Sequence, residues 1–363
     1  MLKDYALTQL SQEMRSRLHG HSEESWFSSL GFAESYCFPP AERVCFLEDN
    51  AGKILSKCFY RERKWAGLFN ELEVMGLIDP QNDLLRELQV HRRSSLVCVR
   101  WVGDADLPRD KGVWHSQSVK RLGEDPCIEL PQSPSDYLHS LGSKARKHFP
   151  YYVRRLDREW GKEWVFDYQF GKSISRDDYD RLLDLNSLRM REKGRSSGWT
   201  QNLREHRWNL ARQCGLLCTL KYQNGLVGGT FSFVHANEAY LIVIAHHPQF
   251  NSLNLGTVSL WLTIQNLINA GYRRYHLMWG NSFYKEQFGG HEKPLYNVTF
   301  FANPIISRAC RAADFVLVPR VWRLVAKIWK RLSWNLPVSD QGKANHKHNE
   351  VAVNVPPIRV TRD

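Results

Sequence analysis

Residues 216–301 constrain the fold more than any other part of the chain. Three β-rich runs, 216–222, 226–234 and 239–245, are separated by the short turns Asn224-Gly225 and Ala236-Asn237-Glu238, the alternation and turn chemistry of an antiparallel meander. A helix over 256–270 stopped by Gly271, a strand over 274–279, a short helix over 282–288 and a strand over 295–301 follow. A meander that feeds a βαβ unit predicts a mixed α/β core. The loop between Ala245 and Gly256 opens a helix directly after a strand, where free backbone N–H groups and the helix dipole favour phosphate.

Upstream, residues 43–60 read as two strands around Asn50-Ala51-Gly52, and 95–102 as a further strand. Residues 103–134 are rich in Pro, Gly, Asp and Ser, which places a domain boundary near Pro131. Ser133-Pro134-Ser135 supplies a helix start, and the basic helical stretch behind it is expected to break at Pro150. A strand over 164–170 follows, then a helix over 177–192, with Tyr179, Leu182, Leu183, Leu185 and Leu188 at amphipathic spacing, and another over 203–213.

Hydrophobic residues at 42% and charged residues at 24% are near globular averages, which argues against wholesale disorder. Fifty Lys and Arg against 38 Asp and Glu leave a formal charge of +12, which favours phosphorylated cofactors, nucleic acid or acidic lipid headgroups without choosing among them. The surplus is concentrated at 144–158, at 308–331 and in the tail with Lys343 and Lys347. Eight cysteines lack regular spacing, and the Cys214/Cys218 pair is no CxxC motif, so reduced thiols in a cytosol are expected. The first residues lack the apolar core of a secretory signal, and no run reaches the roughly 18 apolar residues that span a bilayer. Residues 316–334 read as an amphipathic helix: Val321, Trp322, Val325, Ile328, Trp329 and Leu332 share one face, opposite Arg320, Arg323, Lys327, Lys330 and Arg331. Such a helix suits either the inner face of the cytoplasmic membrane or the body of the protein.

Four pieces carry a specific resemblance: LGSKARKHFPYYVRRLDREWG from Leu141, HHPQFNSLNLGTVSLWLTIQNLINAG from His246, YHLMWGNSFYKEQFGG from Tyr275, and the strand order that links them. Together they resemble the GNAT superfamily, in particular the CelD/BcsL-type acetyltransferases of bacterial polysaccharide synthesis. The last piece is also similar to the FemABX-type aminoacyl transferases, which use paired GNAT-like domains. The resemblance implies an α/β, GNAT-like (acyl-CoA N-acyltransferase) fold with two lobes. Residues 1–134 would be a degenerate lobe, 135–304 the catalytic domain, 305–336 the basic amphipathic helix and 337–363 a disordered tail.

It also implies a site. The family's phosphate loop is commonly Q/R-x-x-G-x-G/A, and Asn251-Ser252-Leu253-Asn254-Leu255-Gly256 keeps its final glycine. Asn254 can adopt the left-handed backbone that glycine usually supplies. Asn251, Asn254, Gly256 and Thr257 are therefore expected at the donor's diphosphate, and the backbone near Ile244 at its thioester carbonyl. Tyr284 stands where GNAT enzymes often place the acid that protonates the departing thiolate, and Lys285 beside it either contacts phosphate or points to water. Histidine has the right unperturbed pKa for a base, and His246, His247 and His276 are candidates, with His246 preferred. Arg146 and Lys147, in the basic run with Lys144, Arg154, Arg155 and Arg158, would hold a phosphorylated acceptor or form a solvated helix face.

The activity implied is transfer of an acyl group, acetyl first, from acyl-CoA to an amine or hydroxyl of an envelope or exopolysaccharide sugar or precursor, without a metal. Its partners would be acyl-CoA, a sugar or amino acceptor and, peripherally, anionic membrane; its place would be the cytoplasm or the inner membrane's surface. Two other readings stand beside it: FemABX-like transfer from aminoacyl-tRNA, which alone would bring a nucleic-acid partner, and a non-catalytic membrane-associated accessory role.

Overall fold

The computed structural model describes residues 2–19, 41–65, 69–78, 83–103, 107, 114–278 and 283–308. The first part of the chain forms β1 (Leu2–Ala6), α1 (Gln12–His19), β2 (Arg43–Glu48), β3 (Ile54–Trp65), β4 (Phe69–Ile78), α2 (Asp83–His91) and β5 (Leu96–Gly103). Strands β1 to β4 are a meander, and α2 crosses over so that β5 pairs parallel to β4. Leu84, Leu85 and Leu88 of α2 pack on Cys45, Cys58, Val74, Val97 and Val99, one face of this half-sheet.

Next come β6 (Ser116–Glu129), α3 (Pro134–Ser140), α4 (Ser143–Trp160), β7 (Trp164–Phe170), α5 (Arg176–Glu192) and α6 (Gln201–Cys214). The meander β8 (Gly215–Tyr222), β9 (Gly225–His235) and β10 (Glu238–His246) leads to α7 (Leu255–Asn269), β11 (Arg274–His276), α8 (Phe283–Gln287) and β12 (His291–Phe301). Sheet order is β1-β2-β3-β4-β5-β12-β6-β11-β10-β9-β8-β7, 12 strands in one sheet. The mixed α/β fold expected from the pattern is present.

Alternation along β8–β10 sorts the helices onto two faces. Leu217, Phe231, Phe233, Tyr240 and Val243 meet Tyr179, Leu182 and Leu183 of α5 and Leu210 of α6. Leu216, Cys218, Val234, Ala239 and Leu241 meet α3, α4 and α7 through Tyr137, Phe149, Leu260 and Ile264. Ser133 caps α3 by accepting from the Asp136 N–H, with Pro134 at the first helical position. The six cysteines among the described residues are free, and no described helix is long and apolar enough to cross a membrane.

Two expectations are corrected. The 103–134 stretch holds β6, a strand of 14 residues at the middle of the sheet, antiparallel to both β11 and β12. Its first half is largely exposed, and Pro126 interrupts its apolar end, so alternation is faint there. Pro150 does not break the basic helix: α4 runs unbroken through it, because Phe149, Leu156 and Trp160 are buried on either side and their packing outweighs one missing backbone donor. The amphipathic helix over 316–334 and the tail lie outside the described residues.

Candidate functional site

The site begins where the sheet opens. Strands β10 and β11 are parallel but pair over only three residues each, Glu238 to Tyr240 against Arg274 to His276. Strand β10 then runs on to His246 with β9 as its only strand partner among the described residues. A bulge between Leu241 and Val243 adds a residue and sharpens the local twist. An antiparallel ladder turns every second residue's N–H and C=O away from its partner, and Ile244 is one such residue: its carbonyl accepts from Arg189 Nη1 of α5 at 3.3 Å.

Beyond β10, His247 Nδ1 accepts from the Gln249 N–H at 3.4 Å and caps the kinked 3-10 stretch Pro248–Leu253. Asn254 then takes φ 56° and ψ 36°, the left-handed conformation expected of it, and α7 starts at Leu255. The N–H groups of Thr257 and Val258 both return to the Asn254 carbonyl, at 2.9 and 3.1 Å. Those of Leu255 and Gly256 precede any carbonyl the helix can offer them, so they and the helix dipole form an anion-favouring end. Gly256 keeps that end open: a Cβ there would stand 3.1 Å from His246 Nδ1. The left-handed Asn254, the two free donors and the missing Cβ fit a phosphate-bearing donor.

His246 ties the strand end to this loop. Its Nε2 lies 2.9 Å from Asn251 Oδ1, and an amide oxygen can only accept, so Nε2 carries the proton and Nδ1 the lone pair. That Nδ1 is buried, with no hydrogen-bond partner among the described residues. Burial pushes the imidazole below its usual pKa; the Asn251 bond and Glu192 oppose this, and the charges of Arg189 and Lys193 add to it. His246 is therefore neutral at pH 7. From α4, Arg155 Nη1 donates to the Ser252 carbonyl at 3.0 Å and braces the loop from outside.

The floor of the opening is a buried polar clamp. His276 Nδ1 meets Asp125 Oδ2 of β6 at 2.6 Å, its Nε2 faces Glu238 Oε2 at 3.3 Å, and its ring stacks on Tyr240 with centroids 4.4 Å apart. Burial works against charge on this imidazole, but the bonds to Asp125, Cys127 and Glu238 outweigh it and hold the pKa well above 6.5. His276 thus holds a proton at pH 7 and is not a base. Glu238 is correspondingly held down to about 2: burial would raise it, and His276, Tyr240 and Arg274 prevail. Asp125 Oδ1 also accepts from the Met278 N–H at 3.1 Å, while Lys285 Nζ donates to the Met278 carbonyl at 2.6 Å. Between these two bonds Met278 is held at φ 56°, a left-handed backbone that costs a non-glycine residue about 1 kcal/mol. Burial brings the Lys285 ammonium down to about 8, against the pull of Asp125.

The structure gathers Ile244, His246, Asn251, Asn254, Gly256 and Thr257 at the end of β10 and the start of α7. Tyr284 and Lys285 lie on α8, past β11: Tyr284 is half-buried against the α3–α4–α7 core, and Lys285 is buried under Met278. Arg146 and Lys147 are exposed on α4, with an Arg146 Nη donating to the Leu141 carbonyl at 3.1 Å; α4 touches the loop instead through Arg155, and through Trp160 against Phe250. Sequence reasoning passed over Arg189 and Asp125. Arg189 sits in a helix whose visible signal was its apolar spacing, and Asp125 in a strand whose pattern was too weak to place it.

Residues 143–286 match the family model described as Acetyltransferase (GNAT) domain. No curated protein sequence matches the chain. Among solved structures, FemX shares the fold with a TM-score of 0.62 at 9% identity, over 85% of this chain and 99% of its own. L-PGS from Bacillus licheniformis is similar with a TM-score of 0.53 at 13% identity, over 81% of this chain and 92% of its own. A conserved protein of unknown function from Bacteroides thetaiotaomicron gives a TM-score of 0.53 at 13% identity, over 83% of this chain and all of its own. The fold is GNAT-like, and the likeness extends well beyond the matched segment into the N-terminal lobe.

Proposed function

From a GNAT-like fold with a matched acetyltransferase segment as the premise, we propose that this chain moves an acyl group, acetyl first, from acyl-CoA to an amine or hydroxyl of an envelope or exopolysaccharide sugar or precursor, as the CelD/BcsL-type resemblance implies. One observation carries the reading: the opening between β10 and β11, with Ile244 on its edge and the free start of α7 at its mouth. An extended thioester laid along β10 would present its carbonyl to the Ile244 N–H and its diphosphate to Leu255 and Gly256.

The acceptor's lone pair forms the new bond to the thioester carbon, and the resulting oxyanion is held by the Ile244 N–H. The C–S bond breaks as the carbonyl reforms. The acceptor's proton passes to the neutral His246 and the Tyr284 phenol protonates the departing sulfur; exchange with solvent then takes the proton from His246 and restores one to the tyrosinate, so that one proton moves overall from acceptor to thiol. In this reading Lys285 holds the Met278 backbone in place. The basic face of α4 with Arg146 and Lys147 would form a wall of the acceptor groove. The 316–334 stretch would keep the enzyme near lipid-borne acceptors.

The likeness to FemX over 85% of the chain favours one second reading, an aminoacyl-tRNA donor as in the FemABX resemblance. Purified protein offered acetyl-CoA, or charged tRNA, with a panel of amino sugars separates them. Release of free CoA thiol with acetylated sugar is expected. Transfer from charged tRNA alone moves the assignment to the second reading, and transfer from neither leaves a non-catalytic accessory role.

A further inference from the structure

Among the described residues, the C-terminal end of α5 carries cations with no carboxylate paired to them. Earlier in the helix layer, three arginines are matched: Arg176 with Asp180 at 2.6 Å and with Glu205, Arg181 with Asp177 at 3.0 Å, and Arg204 with Asp184 at 2.7 Å. At the last turn the matching stops. Among the described residues, Arg189, Lys193 and Arg195 have no carboxylate within ion-pair distance.

Local backbone geometry draws these cations together. Lys193 is the C-cap, and Gly194 follows at φ 65°, so that the Arg195 N–H returns to the Met190 carbonyl at 2.8 Å. This closing turn folds Arg195 back beside the helix end. Arg189, one turn earlier, is fixed at the open edge of β10 through its bond to the Ile244 carbonyl. Their mutual repulsion is visible in Lys193, whose ammonium pKa is lowered by Arg189 first, then by burial and by Arg195. Glu192 is a carboxylate within this field, through its effect on His246 and His247.

The position within the sheet separates this cluster from the donor loop. Helix α5 packs on the face of Phe231, Phe233 and Val243, whereas α7 packs on the opposite face with Val234 and Leu241. The anion-favouring start of α7 and the cation-bearing end of α5 therefore flank the same stretch of β10, one on each face.

We propose that Arg189, Lys193 and Arg195 form an oxyanion subsite for the acceptor, which carries a phosphate group close to its reacting amine or hydroxyl. Guanidinium pairs match phosphate oxygens, and an anion there relieves the repulsion among the three cations. The proposal rests on the acyl-transfer reading for the word acceptor, but binding of phosphate at this end of α5 is measurable without any turnover. A sugar phosphate and a phospholipid headgroup share this chemistry, and the experiment separates them.

Calorimetric titrations of the full chain use glucosamine 1-phosphate, glucosamine itself and phosphatidylglycerol vesicles, with acetyl-CoA titrated separately. The wild type is expected to bind a phosphate-bearing probe, weaken as salt is raised and ignore glucosamine. Lys193→Ala should weaken that binding about tenfold and the Lys193→Glu, Arg195→Glu pair should abolish it, while acetyl-CoA affinity stays within twofold. Binding of glucosamine 1-phosphate places the phosphate on a soluble acceptor; binding of vesicles alone places it on a lipid. The proposal is overturned if neither phosphate probe binds, if the variants bind like the wild type, or if acetyl-CoA affinity falls in parallel, which would give the cluster to the donor. Failure of acetyl-CoA to bind the wild type, with phosphate binding and its loss in the variants intact, would remove the acyl-CoA reading and leave the oxyanion subsite standing.

Discussion

At the residue scale, the two proposed proton carriers give separable signatures. Tyr284→Phe removes only a hydroxyl from a half-buried side chain; turnover should fall by roughly 10²-fold, as for loss of an acid catalyst, with donor affinity unchanged. Undiminished turnover would leave Tyr284 a packing residue. His246 must be neutral to take a proton, and its pKa lies below the usual 6.5 through burial and through Arg189 and Lys193. Activity should hold at pH 6.5 and decline only as pH falls further and the imidazole is protonated. His246→Gln keeps an amide able to reach Asn251 but cannot titrate, so it should lose both activity and this acidic limb. A variant that retains both would make His246 a tie for the loop alone.

At the scale of elements, the clamp under the opening sets the relative positions of β6, β10 and β11. Asp125→Ala would leave His276 facing a lost partner and free the Met278 N–H, and stripping one member from a buried pair costs roughly 3–5 kcal/mol. Thermal unfolding should show it. The sign of the pH effect follows from the raised pKa of His276. Its stabilisation is complete below the unfolded value near 6.5, and it drains away as pH climbs toward the folded-state value. The wild type should therefore lose stability as pH rises above about 6.5, and His276→Gln, less stable at pH 6, should lose less over the same rise. Equal slopes would mean that His276 is not the titrating group.

The same elements explain what the sequence made legible. The β-rich runs with the Asn224-Gly225 turn announced β8 to β10, and the apolar-rich stretch 256–270 stopped by Gly271 announced α7. Asn254 was readable because few residues accept a left-handed backbone, and it stands one residue before α7. The clamp was not readable. Asp125 and His276 are 151 positions apart, and nothing local marks either as the other's partner. Arg189 likewise gains meaning only once α5 is laid across β10. Strand β6 was missed because its place is fixed by pairing with β11 and β12, which outweighs a weak local preference.

For the whole molecule, the sheet order interlocks the two lobes. Strand β12, late in the chain, lies between β5 and β6, and β6 in turn supplies the outer neighbour of β11. The core on the α5 face also joins Phe46, Phe59 and Met75 of the N-terminal strands to Tyr179 and Leu182. A fragment of residues 135–304 therefore loses β6, and with it Asp125. Expressed alone, it should fail to show a cooperative unfolding transition, whereas residues 1–308 should unfold in one; a cooperative fragment 135–304 would make it a self-sufficient domain.

The central claim is that the start of α7 holds the diphosphate of an acyl-CoA donor. Gly256→Asp adds bulk where even a Cβ would stand 3.1 Å from His246 Nδ1, and sets a negative charge at the anion-favouring helix end. The direct measurement is calorimetric titration of acetyl-CoA into the wild type and into Gly256→Asp, with circular dichroism to establish that the variant is folded. Saturable binding by the wild type, weakened at least tenfold in the variant, is the predicted result; equal affinity in two folded proteins, or no binding by the wild type, would contradict it.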